Sequence, residues 1–187
     1  MDPRREALIK LLQDPNAEVR QSAADAIERL EGLSNLEALF EHYRSGDKVR
    51  KLRAIYAFGK LNVEECLPPL IHALDDPHED IRAAAVRVLG EMADPSTLQA
   101  LILRLKDPSL TIQTLAVEAL GNFRHRQLIP QLLPLLEREN KYLVLAAMRT
   151  LGKLNARDAV PRLLKMLESG DPDVRKTAAQ VLGQIQG

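Results

Sequence analysis

The stretch DPHEDIRAAAVRVLG, residues 76–90, decides the fold, because its pattern recurs along the chain every 31 residues. The positions that lie 31 residues apart from Ala85 all hold alanine, at Ala23, Ala54, Ala116, Ala147 and Ala178. Five positions after each alanine the chain has glycine in five copies and Glu28 in the first copy. Six such units account for 186 of the 187 residues without a gap. A helical repeat of this length is typical of a stacked solenoid.

Each unit contains two amphipathic helices, which we call the A helix and the B helix. In the A helix near residue 85, apolar side chains recur at helical spacing, as Ile81, Ala85, Val86, Leu89 and Met92. In the B helix before it they are Leu67, Leu70, Ile71 and Leu74. This spacing gives each helix one buried stripe. The sequence therefore predicts an all-α fold of twelve helices, at about residues 3–13, 15–31, 35–44, 47–61, 63–74, 77–92, 95–106, 108–123, 127–137, 140–154, 157–168 and 172–185.

Local signals add predictions about helix ends and packing. Asp-Pro pairs beginning at residues 14, 76, 94, 107 and 171 predict an aspartate N-cap followed by proline at the first helical position. Glycine costs about 1 kcal/mol inside a helix, so its recurrence predicts a close crossing with a neighbouring helix. Pro134 lies inside a predicted B helix, where it predicts a kink. The recurring Arg20, Arg82 and Arg175 predict a structural ladder with neighbouring aspartates rather than a binding stripe.

Composition excludes several classes of function. Lysine plus arginine equals aspartate plus glutamate, at 26 each, so no net charge attracts nucleic acid or an anionic membrane. The N-terminal stretch MDPRREALIK has no apolar core and is no signal peptide. No apolar run approaches the roughly 20 residues that span a bilayer. The single cysteine, Cys66, allows no internal disulfide and suits a reducing compartment. We therefore expect a cytoplasmic protein.

The chain resembles the HEAT-like repeat family first described in phycobilin lyases (PBS lyase HEAT-like repeats). The resemblance rests on the pattern DP-x-x-x-VR-x-x-A-x-x-A-L-G and on the later A-x-P-x-L element, which is clearest in AVPRLLKML at residues 159–167. It covers the whole chain and implies one domain, residues 1–187, folded as a right-handed α–α superhelix of the armadillo type. In this family the A helices form the convex surface and the B helices line the concave one. Most members are protein-interaction scaffolds.

A few members of this family are enzymes, so an enzyme or enzyme subunit is the alternative function. A phycobilin-lyase-like activity is one form of it. The other is a metal-dependent oxidoreductase similar to deoxyhypusine hydroxylase, whose His-Glu pairs bind iron inside A helices. The matching positions here include Ala83 and Ala84, which are no ligands. Glu41, His42 and His72 fit a solvated surface better than a metal site. We expect no catalytic residue, no metal and no cofactor, and hence no enzyme. Artificial arrays also use the 31-residue unit, so an engineered binder is a further alternative.

The candidate binding site is the concave groove in the C-terminal half of the chain. Helical geometry places one set of B-helix positions opposite the core stripe, where apolar side chains alternate with cations. An apolar centre with an arginine-rich rim is typical of a protein interface. We therefore expect a protein or peptide partner with acidic and apolar groups, and neither nucleic acid nor membrane. The predicted groove residues are Leu103, Arg104, Gln131, Pro134, Leu135, Arg162, Lys165 and Met166.

Two further surfaces are candidates for self-association. On the A helices, outward-facing apolar side chains surround two tyrosines, and these convex residues are Val49, Leu52, Tyr56, Tyr142 and Leu145. At the C-terminal end, Val174, Val181 and Ile185 keep core character although no B helix follows them. We expect a homo-oligomer through this end. The alternative is that these three side chains pack onto the preceding helix pair.

Overall fold

The computed structural model describes residues 2–186, and all regular secondary structure in this range is helical. The chain divides into two compact units, one ending at Pro69 and the other beginning at Leu70. The α-helices of the N-terminal unit are α1 (Pro3–Leu11), α2 (Ala17–Ser34), α3 (Leu36–Ser45) and α4 (Lys48–Leu61). The next helix, α5 (Leu67–Ala73), follows a 3-10 turn and contains the boundary between the units.

The C-terminal unit continues the alternation of A and B helices. Its B helices are short and are flanked by 3-10 turns, whereas its A helices are longer and regular, apart from a final 3-10 turn after α8. The helices are α6 (Glu79–Met92), α7 (Leu98–Leu103), α8 (Leu110–Leu120), α9 (Ile129–Leu132), α10 (Lys141–Lys153), α11 (Val160–Met166) and α12 (Pro172–Gln184). The twelve predicted helices and the all-α class are confirmed.

The repeated alanine lies in the core of every repeat. All six are buried, from 2 % exposed at Ala23 to 0 % at Ala178. In the N-terminal unit Phe58 is fully buried and its ring lies 5.4 Å from that of Phe40, between ring centroids. Burying one such side chain contributes roughly 1.5–3 kcal/mol. Helix α1 has no buried residue, so the core of this unit is formed mainly by α3 and α4.

The recurring glycine lies at helix crossings, as the sequence predicted. A Cβ added to Gly90 in α6 would lie 2.5 Å from the Cβ of Ala119 in α8. A Cβ on Gly152 in α10 would lie 3.0 Å from Val181 in α12. Successive A helices therefore touch backbone to side chain at this position. Gly183, in the last A helix, has no such neighbour within 4 Å among the described residues.

The Asp-Pro pairs do not all start helices. Asp171 caps α12 as predicted, and Asp94 caps the 3-10 turn Pro95–Thr97. After Asp14, Asp76 and Asp107, however, the helix begins three residues later, at Ala17, Glu79 and Leu110. Each of these three carboxylates accepts a hydrogen bond from the backbone N–H two residues ahead, at 2.8–2.9 Å. The pair then forms an Asx turn, which competes with the N-cap role for the same oxygen.

The recurring arginines tie each of these loops to its own A helix. Arg20, Arg82 and Arg175 each donate from Nη1 to two loop carbonyls that lie five and six residues earlier, at 2.6–3.3 Å. Of the three, Arg82 alone also binds an aspartate, Asp107. In the next repeat Gln113 takes the place of Arg82 and donates to the carbonyl of Asp107 at 2.7 Å. The predicted role is structural, but carbonyls rather than aspartates are the main acceptors.

Four A helices of the described range end in a left-handed residue. Asn62, Ala93, Arg124 and Asn155 have φ between 48° and 51°. They lie 31 residues apart, eight positions after the repeated alanine. Asparagine tolerates this conformation, whereas alanine and arginine pay a steric penalty of roughly 1–2 kcal/mol. The turn from an A helix to the next B helix therefore has one geometry in these repeats, whichever residue occupies it.

Candidate functional site

Leu103 and Arg104 are adjacent in sequence but differ in exposure. Leu103, the last residue of α7, is 55 % exposed. The side chain of Arg104 is 16 % exposed. Its Nη1 donates to the carbonyl of Leu74 at 2.8 Å and to Oδ1 of Asp75 at 2.7 Å, so the guanidinium is fixed against the preceding B-helix end. Its buried Nε has no hydrogen-bond partner among the described residues. The leucine is accessible to a partner, and the arginine supports the surface beside it.

Leu135 does not have the exposure predicted for a groove residue. It is 6 % exposed and belongs to the core. The predicted interruption at Pro134 is present, because α9 ends at Leu132 and Leu133–Glu137 continue as a 3-10 helix. It does not account for the burial, since the same repeat position holds Ala73, which is 0 % exposed inside the regular helix α5. The expectation of an accessible apolar anchor at Leu135 is therefore wrong.

The remaining groove residues lie on the surface. Gln131, Pro134, Arg162 and Lys165 are exposed and Met166 is half-buried. Arg162 donates from Nε to Oε1 of Glu137 at 3.2 Å, and both side chains are accessible to water. Two of the three groove cations are thus already paired with carboxylates, Arg104 with Asp75 and Arg162 with Glu137. A partner carboxylate has to compete with these pairs, whereas Lys165 has no ion-pair partner in the described range.

Sequence reasoning missed two exposed leucines on α11 and just after it. Leu164 is 52 % exposed and Leu167 is 37 % exposed. Both occupy positions that are covered one repeat earlier, where Leu133 is half-buried and Leu136 is 4 % exposed. Helix α11 is the last B helix of the described chain, so no further B helix packs against this side. The signal was present in the repeat order, because a position that packs on the next repeat is exposed where no such repeat lies in the described chain.

The C-terminal helix does not expose the apolar face expected of it. Val181 is 2 % exposed, and Val174 and Ile185 are half-buried. Helix α12 contacts both α10 and α11, so these side chains pack onto the preceding helix pair. Val181 therefore packs onto the preceding helix pair and is not accessible to a partner, whereas self-association through Val174 and Ile185 stays a prediction.

The convex residues divide into accessible and buried side chains. Tyr142 is 72 % exposed, Val49 56 % and Tyr56 48 %, whereas Leu52 is half-buried. Leu145 is 6 % exposed, so its expected surface role is wrong. Helix α10 contacts both α8 and α12 and buries every residue from Leu143 to Met148. A residue of α10 that was expected to face outwards, such as Leu145, is therefore covered by the flanking helices α8 and α12.

The hydroxyl-bearing ring of Tyr142 borders a hollow that the sequence did not indicate. Its volume is about 350 Å³, and its lining includes Leu110, which is 49 % exposed. Thr111, Thr114, Leu115 and Asn140 complete it. The hollow has no charged group in its lining and therefore offers a partner only apolar, hydroxyl and amide contacts.

The titratable groups give no sign of a reactive centre. Across residues 2–186 no cluster of three or more histidine, cysteine or acidic side chains is arranged to hold a metal ion. Glu41 pairs with Arg44 at 3.0 Å. Burial raises the pKa of the Cys66 thiol from 9.0 to about 11, so it stays protonated at neutral pH. None of the helices in this range is long and apolar enough to cross a membrane.

Comparison with known proteins gives a consistent result for the fold. A family model for HEAT repeats matches residues 36–121 and 100–183, and a model for a single HEAT repeat matches residues 5–31. No curated protein matches the chain by sequence. Among solved structures, the chain is similar to the complex of CpcE and CpcF of phycocyanin lyase from Nostoc sp. PCC7120. The identity is 26 % and the TM-score 0.58, over 96 % of this chain and 76 % of that chain.

Designed proteins are also among the similar structures. One is a designed armadillo repeat protein in complex with the peptide (KR)4, at 19 % identity and a TM-score of 0.61, over 96 % of this chain and 98 % of that one. Another belongs to a set of computationally designed armadillo repeat proteins for modular peptide recognition, at 19 % identity and a TM-score of 0.55, over 96 % and 99 % of the two chains. At this identity the likeness extends to the fold alone.

Proposed function

The chain belongs to the HEAT repeat family, and we propose that it is a non-catalytic scaffold that binds a protein or peptide on the exposed groove residues of its C-terminal unit. The observation that carries this proposal is the exposure of Leu103 beside a fixed arginine. A leucine 55 % exposed at a helix end is available as an apolar anchor, and Arg104 beside it is held by two hydrogen bonds. An anchor on a rigid support loses little conformational freedom on binding.

Two exposed leucines, one on α11 and one just after it, lie next to the groove residues of that helix. Leu164 and Leu167 add apolar area to the half-buried Met166, whose flexible thioether adapts to irregular partners. Lys165 lies among them as an exposed cation. The partner that fits best presents apolar side chains with a carboxylate nearby. Because Leu135 is buried, the apolar side chains available to the partner are Leu103 and those of α11.

A second candidate function is that of a lyase subunit. The 26 % identity to the phycocyanin lyase complex over 96 % of the chain favours it. Purified protein from the source cell would then carry a visible absorbance band, or would acquire one from a tetrapyrrole added in solution. Protein that stays colourless in both experiments is consistent with a scaffold and contradicts this second function.

Selection from a random peptide library displayed on phage tests the scaffold function directly. The affinity of the selected peptides is then measured for the natural protein and two matched variants. Leu103→Ala should weaken binding by about 2 kcal/mol or more, as truncation of a central anchor does. Ile9→Ala removes an apolar side chain that is 41 % exposed from α1, outside the groove, and should leave binding unchanged. Failure to select any peptide, or equal losses in both variants, would contradict the proposed site.

A further inference from the structure

The outward face of α4, in the N-terminal unit, alternates apolar and cationic side chains. Val49, Arg53, Tyr56 and Lys60 are separated by four, three and four residues, which places them in one line along a helix. All four are exposed, and the exposed fraction is 56 % for Val49 and 48 % for Tyr56. We call these four residues the α4 stripe. It extends over about 16 Å at the rise of an α-helix.

Two cations of α4, Arg50 and Arg53, contribute no ion pair within residues 2–186. The helix contains five basic residues and no acidic one in KVRKLRAIYAFGKL. Arg50 lies in its first turn, where the helix dipole is positive and disfavours cations, and contributes only its backbone N–H to the Asp47 cap, at 2.9 Å. The guanidinium groups of Arg50 and Arg53 are therefore available to an external group.

The neighbouring helix limits what that group can be. Glu28 in α2 binds Lys60, with 2.6 Å between Oε1 and Nζ, and Asp25 lies one turn before it. On the side of α2, therefore, the basic surface ends at α4. A duplex nucleic acid or an anionic bilayer would meet these carboxylates as well as the cations. A second copy of α4 would bring the unpaired Arg50 and Arg53 against a surface of the same charge. A short acidic segment meets neither obstacle.

We propose that the α4 stripe is a docking surface for an acidic protein segment that carries an apolar side chain between its carboxylates. The apolar side chain packs between Val49 and Tyr56, and a carboxylate pairs with the planar guanidinium of Arg53, which accommodates two parallel hydrogen bonds. Lys60 exchanges its contact with Glu28 for one with the partner, or is shared between them. This surface is separate from the groove residues, because it lies in the other compact unit.

A labelled synthetic peptide of repeating Glu-Leu-Glu-Phe tests the proposal, with the same peptide carrying glutamine for glutamate as the control. Binding to the full chain is followed by fluorescence anisotropy at low and at moderate salt. We expect saturable binding of the acidic peptide that is at least about tenfold weaker for Arg53→Glu. Tyr56→Ala should weaken binding at both salt concentrations. Lys10→Glu makes the same charge change on α1 and should change the affinity by less than about twofold.

Four results would overturn this inference. They are equal affinity for the glutamate and glutamine peptides, an equal loss in Lys10→Glu and Arg53→Glu, an unaffected Arg53→Glu, and no saturable binding. Co-sedimentation with phosphatidylserine vesicles that Arg53→Glu abolishes would assign the stripe to a membrane surface instead. Self-association that the same variant abolishes would assign it to a second copy. Circular dichroism of each variant verifies the helix content, and Arg53→Lys, which keeps the charge without the planar group, should show a smaller loss than Arg53→Glu.

Discussion

Arg82 of α6 and Asp107 of the loop before α8 form a two-point ion pair in the interior of the C-terminal unit. Nε lies 3.0 Å from Oδ2 and Nη2 lies 3.1 Å from Oδ1. The side chains are 12 % and 2 % exposed. Asp107 also accepts the backbone N–H of Ser109 at 2.9 Å, so both of its oxygens are satisfied. The pair joins two successive repeats at a point where the carboxylate is shielded from bulk water and the guanidinium is largely so.

Loss of the arginine should therefore be costly. Arg82→Ala leaves the Asp107 carboxylate buried without its counter-charge, and we expect the free energy of unfolding to fall by about 3 kcal/mol. Arg20→Ala is the matched control, since Arg20 occupies the same repeat position but binds only carbonyls of its own loop. Urea denaturation followed by circular dichroism measures both changes. Losses of similar size would mean that the carboxylate contributes nothing beyond the loop contacts.

Glycine at the repeated position should be required at a helix crossing and dispensable at the chain end. Gly90→Ala forces α6 away from Ala119 in α8, and we expect a loss of about 1–3 kcal/mol. Gly183→Ala meets no atom within 4 Å in the described range and gains helix propensity, so stability should rise by up to about 1 kcal/mol. Thermal melts of the two variants should shift in opposite directions. If both melting temperatures moved in the same direction, the helix crossing would not be the reason for glycine at position 90.

The left-handed helix end at Ala93 offers a stabilising substitution. Asn62 and Asn155 already occupy the equivalent position with nearly the same φ. Ala93→Asn relieves part of the steric penalty on alanine, and we expect about 0.5–1 kcal/mol of added stability. Ala83→Asn, inside the regular part of α6, should instead lower stability because asparagine has a poor helix propensity. Chemical denaturation should separate the two variants, and a loss in Ala93→Asn would argue against the left-handed geometry.

Cys66 should make the stability fall at alkaline pH. Its folded pKa of about 11 lies above the ordinary 9.0, because burial disfavours the thiolate. The unfolded chain loses this proton first, so stability is complete below pH 9 and declines as the pH rises towards 11. Cys66→Ala should flatten that decline. Labelling of the natural protein with a thiol reagent should be slow until urea is added, and fast labelling without urea would contradict the burial.

An acidic pH should weaken the contact between α10 and the start of α12. Lys141 lies 2.9 Å from Asp171 and 2.6 Å from Asp173, and its hydrogen bond holds the pKa of Asp171 below 3.8. An aspartate whose pKa is lower in the folded chain than in the unfolded chain stabilises the fold at a pH above its unfolded pKa. This contribution disappears as the pH falls through the folded pKa. In Lys141→Met, NMR titration of the Asp171 carboxyl should give a higher pKa than in the natural protein. An unchanged value would show that the capped backbone N–H groups alone depress it.

The helical repeat could be predicted from sequence because both of its signals are local. The 3.6-residue spacing around Ala85 and the fixed distance to Gly90 determine which faces pack, and the structure confirms the helix order and the buried alanines. The helix starts after Asp76 and Asp107 could not be separated from N-caps, because an aspartate oxygen serves an Asx turn and an N-cap equally well. What separates the two roles is the position in the repeat: Asp76 and Asp107 lie six residues before Arg82 and Gln113, whereas the capping Asp171 lies four residues before Arg175.

The site was predicted less well, because exposure depends on neighbours. Leu135 lies at a repeat position where Ala73 is also buried, and Leu145 is covered by the helices that flank α10. Leu164 has the same chemistry as Leu133 one repeat earlier, yet it is 52 % exposed because no B helix packs on it in the described chain. Periodicity assigns one environment to each repeated position. It does not show how far a position opposite the core stripe is covered by the neighbouring helices.

The ion pair between Arg82 and Asp107 is specific to one junction between repeats, and this affects where a repeat could be inserted or removed. The position that Asp107 occupies before α8 holds Arg138 before α10, and Gln113 of α8 is uncharged and donates to the carbonyl of Asp107 in its own loop. A 31-residue duplication that begins between Arg82 and Asp107 would place the second copy of Asp107 opposite Gln113 instead of an arginine. Between α8 and α10 the same edit separates uncharged contacts, such as that of the Thr150 hydroxyl with the Val117 carbonyl at 3.0 Å. This joint is where gene duplication could lengthen the array at the least energetic cost.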